Sequence, residues 1–219
     1  MTIQPDGADP IAAGVDSLGV AVQRQLADAL EALGAADLLG ADAVVRGDAA
    51  INERRYALEE QVTAELGRGG ASPVRLRILV AALSIVTDLE RMGDHCVGIA
   101  KVALMLGDAH AVPLPALLPR LADMVTAMVA RGLASFSTRD VDEARLTCAD
   151  DDAVDELYDT LYSELLSAMA ADNTQVAPYT YLLWVAHNLE RIADRVTNVC
   201  ERTVYLVTGR IDELNVSNY

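Results

Sequence analysis

Two short segments, Leu89-Glu90-Arg91-Met92-Gly93-Asp94 and Leu189-Glu190-Arg191-Ile192-Ala193-Asp194, carry the same acidic pattern one hundred residues apart. In each, a Glu and an Asp four positions apart share one helical face, which sets two carboxylates side by side. Like charges at that spacing cost an isolated helix a few tenths of a kcal/mol, so a duplicated pair in an apolar setting predicts a cation between them. In the second half Asp151 and Asp155 repeat the spacing on the preceding segment, while Asn198 and Glu201 continue the Glu190 face. Four carboxylates across a groove offer the oxygen donors that magnesium, manganese or iron accept, and bridging carboxylates permit more than one ion. The expected metal ligands are Asp151, Asp155, Glu190 and Asp194, joined by Asn198 and Glu201 as ligands or holders of bound water. Glu90 and Asp94 form the matching pair of the first half.

Other chemistries find little support. His95 follows Asp94 and His187 lies one turn before Arg191, but neither sits in the Glu-x-x-His arrangement of ferritin-like di-iron enzymes. There is no G-x-S-x-G elbow, no phosphate-binding G-x-x-x-x-G-K-[ST] loop and no H-E-x-x-H pair. A carboxylate-bridged metalloenzyme is therefore the weaker reading, and no catalytic residue is expected. Cys96, Cys148 and Cys200 have no C-x-x-C spacing, which fits a reducing cytoplasm, and Cys96 and Cys200 on the motif segments read as small core residues. Arg91 and Arg191 are placed to pair with the neighbouring acids.

The elements that must hold these groups are helices. Of 219 residues 52% are apolar but only 4% aromatic, which suits close-packed helices better than sheets, so the expected fold class is all-α. A net charge of −16 argues against nucleic acid and anionic lipid as partners. The longest strongly apolar stretch, Ile78 to Val86, is about half of the ~20 residues a membrane span needs, and Met1 to Pro10 lacks the features of a signal peptide. Helical spacing predicts a first helix over roughly Pro10 to Val45 and a second from an Asp48 cap to about Leu66. A third follows Ser72-Pro73 and reaches about Leu106. The proline-bearing stretch Gly107 to Pro115 marks a linker. Beyond it, helices are expected over about 115–137, 140–169 and from Pro178 to about Thr208. Short connections make consecutive helices antiparallel. The architecture expected is two tandem three-helix bundles, residues 1–107 and 115–209, with a tail over 210–219.

The repeat extends to the helix before each motif. Sliding the halves places Asn52 on Asp151 and Tyr56 on Asp155, with Asp48 matching Asp140, while Gly98 and Lys101 stand where the second half has Asn198 and Glu201. Two lost carboxylates and a gained ammonium predict that any metal occupies the second half more fully.

With these motifs, the Asn198-to-Glu201 run, the Asp151-to-Leu157 segment and the terminal Val204-Tyr205-Leu206-Val207-Thr208-Gly209, the chain resembles the PhoU family from about Asp48 to Gly209. That resemblance implies tandem three-helix bundles, carboxylate-bound metal clusters, homodimers and no enzymatic activity. It also implies two partners, the ATPase subunit of the phosphate ABC transporter and a sensor histidine kinase that such proteins hold off while phosphate is plentiful. A metal-free helical adaptor unconnected with phosphate is the remaining alternative.

Overall fold

The computed structural model describes residues 9–107, 112–211 and 214. Residues 1–8 of the expected lead-in, 108–111 of the expected linker and most of the 210–219 tail lie outside the described residues. Among the described residues every regular element is helical. The first half comprises α1 (Pro10–Ala35), α2 (Leu38–Arg68) and α3 (Pro73–Leu106). The second comprises α4 (Leu117–Thr138), α5 (Val141–Ala149), α6 (Asp151–Ala171), a single 3₁₀ turn (Asn173–Gln175) and α7 (Val176–Thr208).

Helix starts follow short polar side chains that satisfy orphan amides. Asp9 accepts from the Ile11 amide at 3.0 Å, and Ser72 accepts from Arg75 at 3.1 Å, each just ahead of a proline in the first helical turn. Asp140 accepts from Glu143 at 3.0 Å. The expected first helix to Val45 is corrected here. The chain turns at Ala36, whose φ of 52° is left-handed, and Asp37 then caps α2 by accepting from Leu39 and Gly40. Asp48 therefore lies inside α2 and caps nothing. The expected fifth helix is interrupted at Asp150, which keeps helical dihedrals and leads directly into α6.

The two motif helices occupy the centre. α1 and α2 pack on α3, while α4, α5 and α6 pack on α7, and the most extensive contact in the chain joins α3 to α7. The pair runs antiparallel, because Asn198 of α7 donates to Asp88 of α3 at 3.1 Å while His95, farther along α3, meets Asn188, earlier in α7, at 2.9 Å. Both helices carry apolar side chains around most of their girth, including Leu79, Ile85, Leu89 and Ile99 on one and Leu182, Val185, Leu189 and Val204 on the other, all at 1% exposure or less. Such all-round burial is what a central helix requires.

Close approach depends on small residues. Gly132 of α4 faces α7 so tightly that an added Cβ would fall 2.6 Å from Val196 Cγ1, a stiff β-branched side chain in the core. Helix propensity favours Ala over Gly by ~1 kcal/mol, whereas overpacking costs ~1–3 kcal/mol. The clash wins: Gly132→Ala is expected to lower the Tm by about 2–4 °C, and in a Val196→Ala background the same change is expected to raise it. Thermal melts of the four proteins decide this. A stabilising effect in the wild-type background overturns it.

Candidate metal centre

α7 presents its acidic face toward α6. Leu189 is fully buried and anchors the face, and Glu190 beside it is only 7% exposed. α6 begins at Asp151, so this carboxylate sits in the first helical turn, where the helix dipole favours an anion, and it is 2% exposed. Asp155 follows one turn later. Burial, then the charges of Asp194, Asp155 and Asp151, push the Glu190 carboxyl up to about 7 against the opposing pull of Arg191. Asp155 is raised as well, by burial and then by Asp194, Asp159 and Asp152. The acids of α6 and α7 thus act on one another across the groove, as the spacing predicts.

The chain neutralises this charge in part through Arg191. Arg191 places Nε 2.9 Å from Glu190 Oε2 and Nη1 2.9 Å from Asp194 Oδ2. The buried Glu190 Oε2 nonetheless accepts no hydrogen bond. Tyr158, on the α6 face toward Glu190, is raised by burial and by the Glu190 charge. As the side chains stand, no three His, Cys, Asp or Glu groups among the described residues converge closely enough to enclose an ion.

Asn198 and Glu201 are placed differently. Asn198 turns its amide to Asp88 of α3, and burial raises the Asp88 carboxyl despite that bond and the Arg195 guanidinium 3.5 Å away. Glu201 Oε1 accepts from the Leu214 amide at 3.0 Å. Its charge and that of Asp151 both act on the Cys148 thiol, which burial first pushes up to about 12, so Glu201 lies at the Asp151 end of the groove. All three cysteines are buried, as expected of core residues. His95 is a half-buried partner of Asn188, and burial lowers its pKa. His187 Nδ1 approaches Glu190 Oε2 at 3.6 Å, with its pKa lowered by burial and by Arg191.

The first half requires a correction of the repeat. Asp37 and Asp140 occupy equivalent caps, and Ala36 and Arg139 before them are both left-handed, at 52° and 59°. Counting from these caps, buried Ala41, Ile51, Leu58 and Val62 align with buried Ala144, Val154, Leu161 and Leu165. Asp48 is therefore the counterpart of Asp151, Asn52 of Asp155 and Arg55 of Tyr158. The alignment of Asn52 with Asp151 and Tyr56 with Asp155 is displaced by one helical turn, which preserves the facing and so conceals the error.

In that frame each first-half acid already has an internal partner. Asp48 Oδ2 accepts from Asn52 at 2.9 Å, and its Oδ1 accepts from buried Gln25 at 3.4 Å. Glu90, 8% exposed, accepts from Arg55 Nη1 at 2.9 Å, and Asp94 accepts from Arg91 at 3.2 Å. Gly98 is small because the Asn188 carboxamide lies against it, 2.6 Å from where a Cβ would stand. Sequence reasoning missed Asp48, Arg55, Asp88 and Tyr158 as members of these centres. The one available signal was that Asp48-x-x-Ile51-Asn52 parallels Asp151-x-x-Val154-Asp155. A surface groove of about 790 Å³ between α1 and α2, lined by Val20, Gln25, Gly40 and Arg54, lies apart from the α6–α7 acids.

Comparison with known proteins accounts for the doubling. The PhoU domain matches residues 15–103 and again residues 118–203. A Clostridium acetobutylicum protein named phosphate-specific transport system accessory protein PhoU homolog is 35% identical over 201 residues, covering 90% of this chain and 91% of its own. A Streptococcus pneumoniae protein of the same name is 33% identical over 198 residues, covering 90% and 92%. The crystal structure of the phosphate transport system regulatory protein PhoU from Streptococcus pneumoniae superposes with a TM-score of 0.86 at 30% identity, over 92% of this chain and 95% of that one. PhoU from Pseudomonas aeruginosa gives 0.88 at 29%, over 91% and 96%. With both halves matched and the helical architecture shared over about nine-tenths of its length, the chain belongs to the PhoU family.

Proposed function

We propose that the chain is a cytoplasmic regulator of phosphate uptake and phosphate-starvation signalling. It acts as a homodimer, without turnover, through contact with the ATPase subunit of the phosphate ABC transporter and with a sensor histidine kinase. The observation that carries this reading is the match of both halves to one family, with relatives named as accessory proteins of phosphate transport. No described helix is long and apolar enough to cross a membrane, which accords with a protein that reaches the transporter by docking.

Within this reading the second-half acids hold a structural metal. The donor set fits, because Glu190 Oε2, ion-paired with Arg191 at 2.9 Å, is buried without a hydrogen bond and the carboxylates of Asp151, Asp155 and Asp194 act on it across the groove. A bound iron, manganese or magnesium ion would supply further positive charge there. Glu190 and Asp194 of α7, with Asp151 and Asp155 of α6, are the residues that would hold such an ion, and an ion held by both helices would tie α6 to α7.

Deleting the gene tests the regulatory role. A phosphate-starvation promoter is expected to become active in phosphate-rich medium and to fall silent again when the wild-type chain is restored. Immobilised protein is expected to retain the transporter ATPase and the kinase. Unchanged repression in the deletion strain removes the proposal.

A further inference from the structure

We infer that Arg55 is the built-in cation of the first half, so that this half holds its acidic centre together without metal. Its guanidinium bridges two helices, donating through Nη1 to Glu90 on α3 at 2.9 Å and through Nε to Glu59 on its own helix at 2.9 Å. The Arg55 side chain is 21% exposed and that of Glu90 10%, so the contact is sheltered from solvent. Arg91 stands 3.5 Å from the other Glu90 oxygen and 3.2 Å from Asp94. The remaining acid of the centre, Asp48, is bonded by the amides of Asn52 and Gln25. A metal ligated there would find Glu90 Oε1 already taken by the Arg55 guanidinium, leaving the carboxylate only its buried Oε2, which accepts no hydrogen bond, and would have one carboxylate fewer than in the second half because Asn52 stands where Asp155 does. The donor set does not fit the metal that the family resemblance implies for this half.

The contrast with the second half identifies Arg55 as the cause. Its counterpart there is Tyr158, which brings no positive charge. Both halves need something positive between a buried Glu and the preceding helix. The first carries it covalently, as a side chain whose planar fork matches a carboxylate.

Two measurements on the full chain test this, and only the second rests on the proposed metal. In EDTA, Arg55→Met is expected to lower the Tm by at least about 5 °C, because it strands the Glu90 charge, and the double variant Arg55→Met/Glu90→Gln is expected to recover most of that loss. A role in packing alone gives no recovery. Should Arg55→Met not fold, a folded double variant is the expected rescue, and an unfolded one overturns the inference. Manganese titration followed by electron paramagnetic resonance gives the second measurement. Asp94→Asn is expected to leave the bound Mn²⁺ unchanged, while Asp194→Asn weakens binding at least about tenfold. Loss of Mn²⁺ in Asp94→Asn overturns the inference. If no protein binds Mn²⁺, the second-half metal falls, and the thermal comparison still decides the role of Arg55.

Discussion

In EDTA, raising the pH from about 4.5 to about 7 is expected to cost the wild-type protein about 2 kcal/mol more stability than it costs Glu190→Gln. The sign follows from where the Glu190 proton resides. Its carboxyl is raised from the ordinary 4.5 to about 7 in the folded chain, so between those values the folded state holds a proton that the unfolded state has released. Stability present below the lower value is lost as the pH climbs through the upper one. Solvent at the open side of the groove screens part of the effect, which keeps the expectation below the full linkage of ~3 kcal/mol. Asp155 and Asp88, also raised, act in the same direction, while His95 and His187, both lowered, act oppositely near pH 6.5. Subtracting the Glu190→Gln profile removes their contributions. Saturating Mn²⁺ is expected to invert the order above pH 7, because only the ionised carboxylate ligates. Urea midpoints across the pH range measure this. Parallel profiles in EDTA would sink the buried-charge argument, and indifference to Mn²⁺ would sink the metal.

Leu189→Ala is expected to lower the Tm by about 10 °C, from a loss of ~3–4 kcal/mol. Leu189 is fully buried on α7, the helix on which α4, α5 and α6 pack and which makes the chain's most extensive helix contact, with α3. Truncation there removes apolar contacts and leaves a cavity that several packed helices cannot easily close. Leu39, 81% exposed on α2, supplies the control: the same truncation there is expected to change stability by less than ~0.5 kcal/mol. Equal effects at the two positions would mean that α7 is not the central helix described here.

The helical class, the pairing of Glu190 with Asp194 and their opposition to Asp151 and Asp155 were all legible, because each follows from periodicity within a single helix or from one short connection. Ala36 was not. Nothing in Ala itself signals a left-handed turn, and the Asp37 cap that fixes the break lies within a stretch that keeps helical spacing. The repeat was misread by one turn for a related reason: in a helix, a four-residue displacement maps an apolar face onto itself. Only the caps and the burial of Ala41 against Ala144 fix it. Arg55 escaped notice because its significance depends on Glu90, thirty-five positions away on another helix, and no periodic pattern encodes that encounter.

The two polar contacts in the middle of the α3–α7 pair have one more effect. Apolar ridges of Leu, Val and Ala are nearly self-similar every turn, so two such helices alone could slide along their length at little cost. Here any axial slip parts Asp88 from Asn198 and, two turns away, His95 from Asn188 in the same movement. The two halves are thereby held at one axial setting.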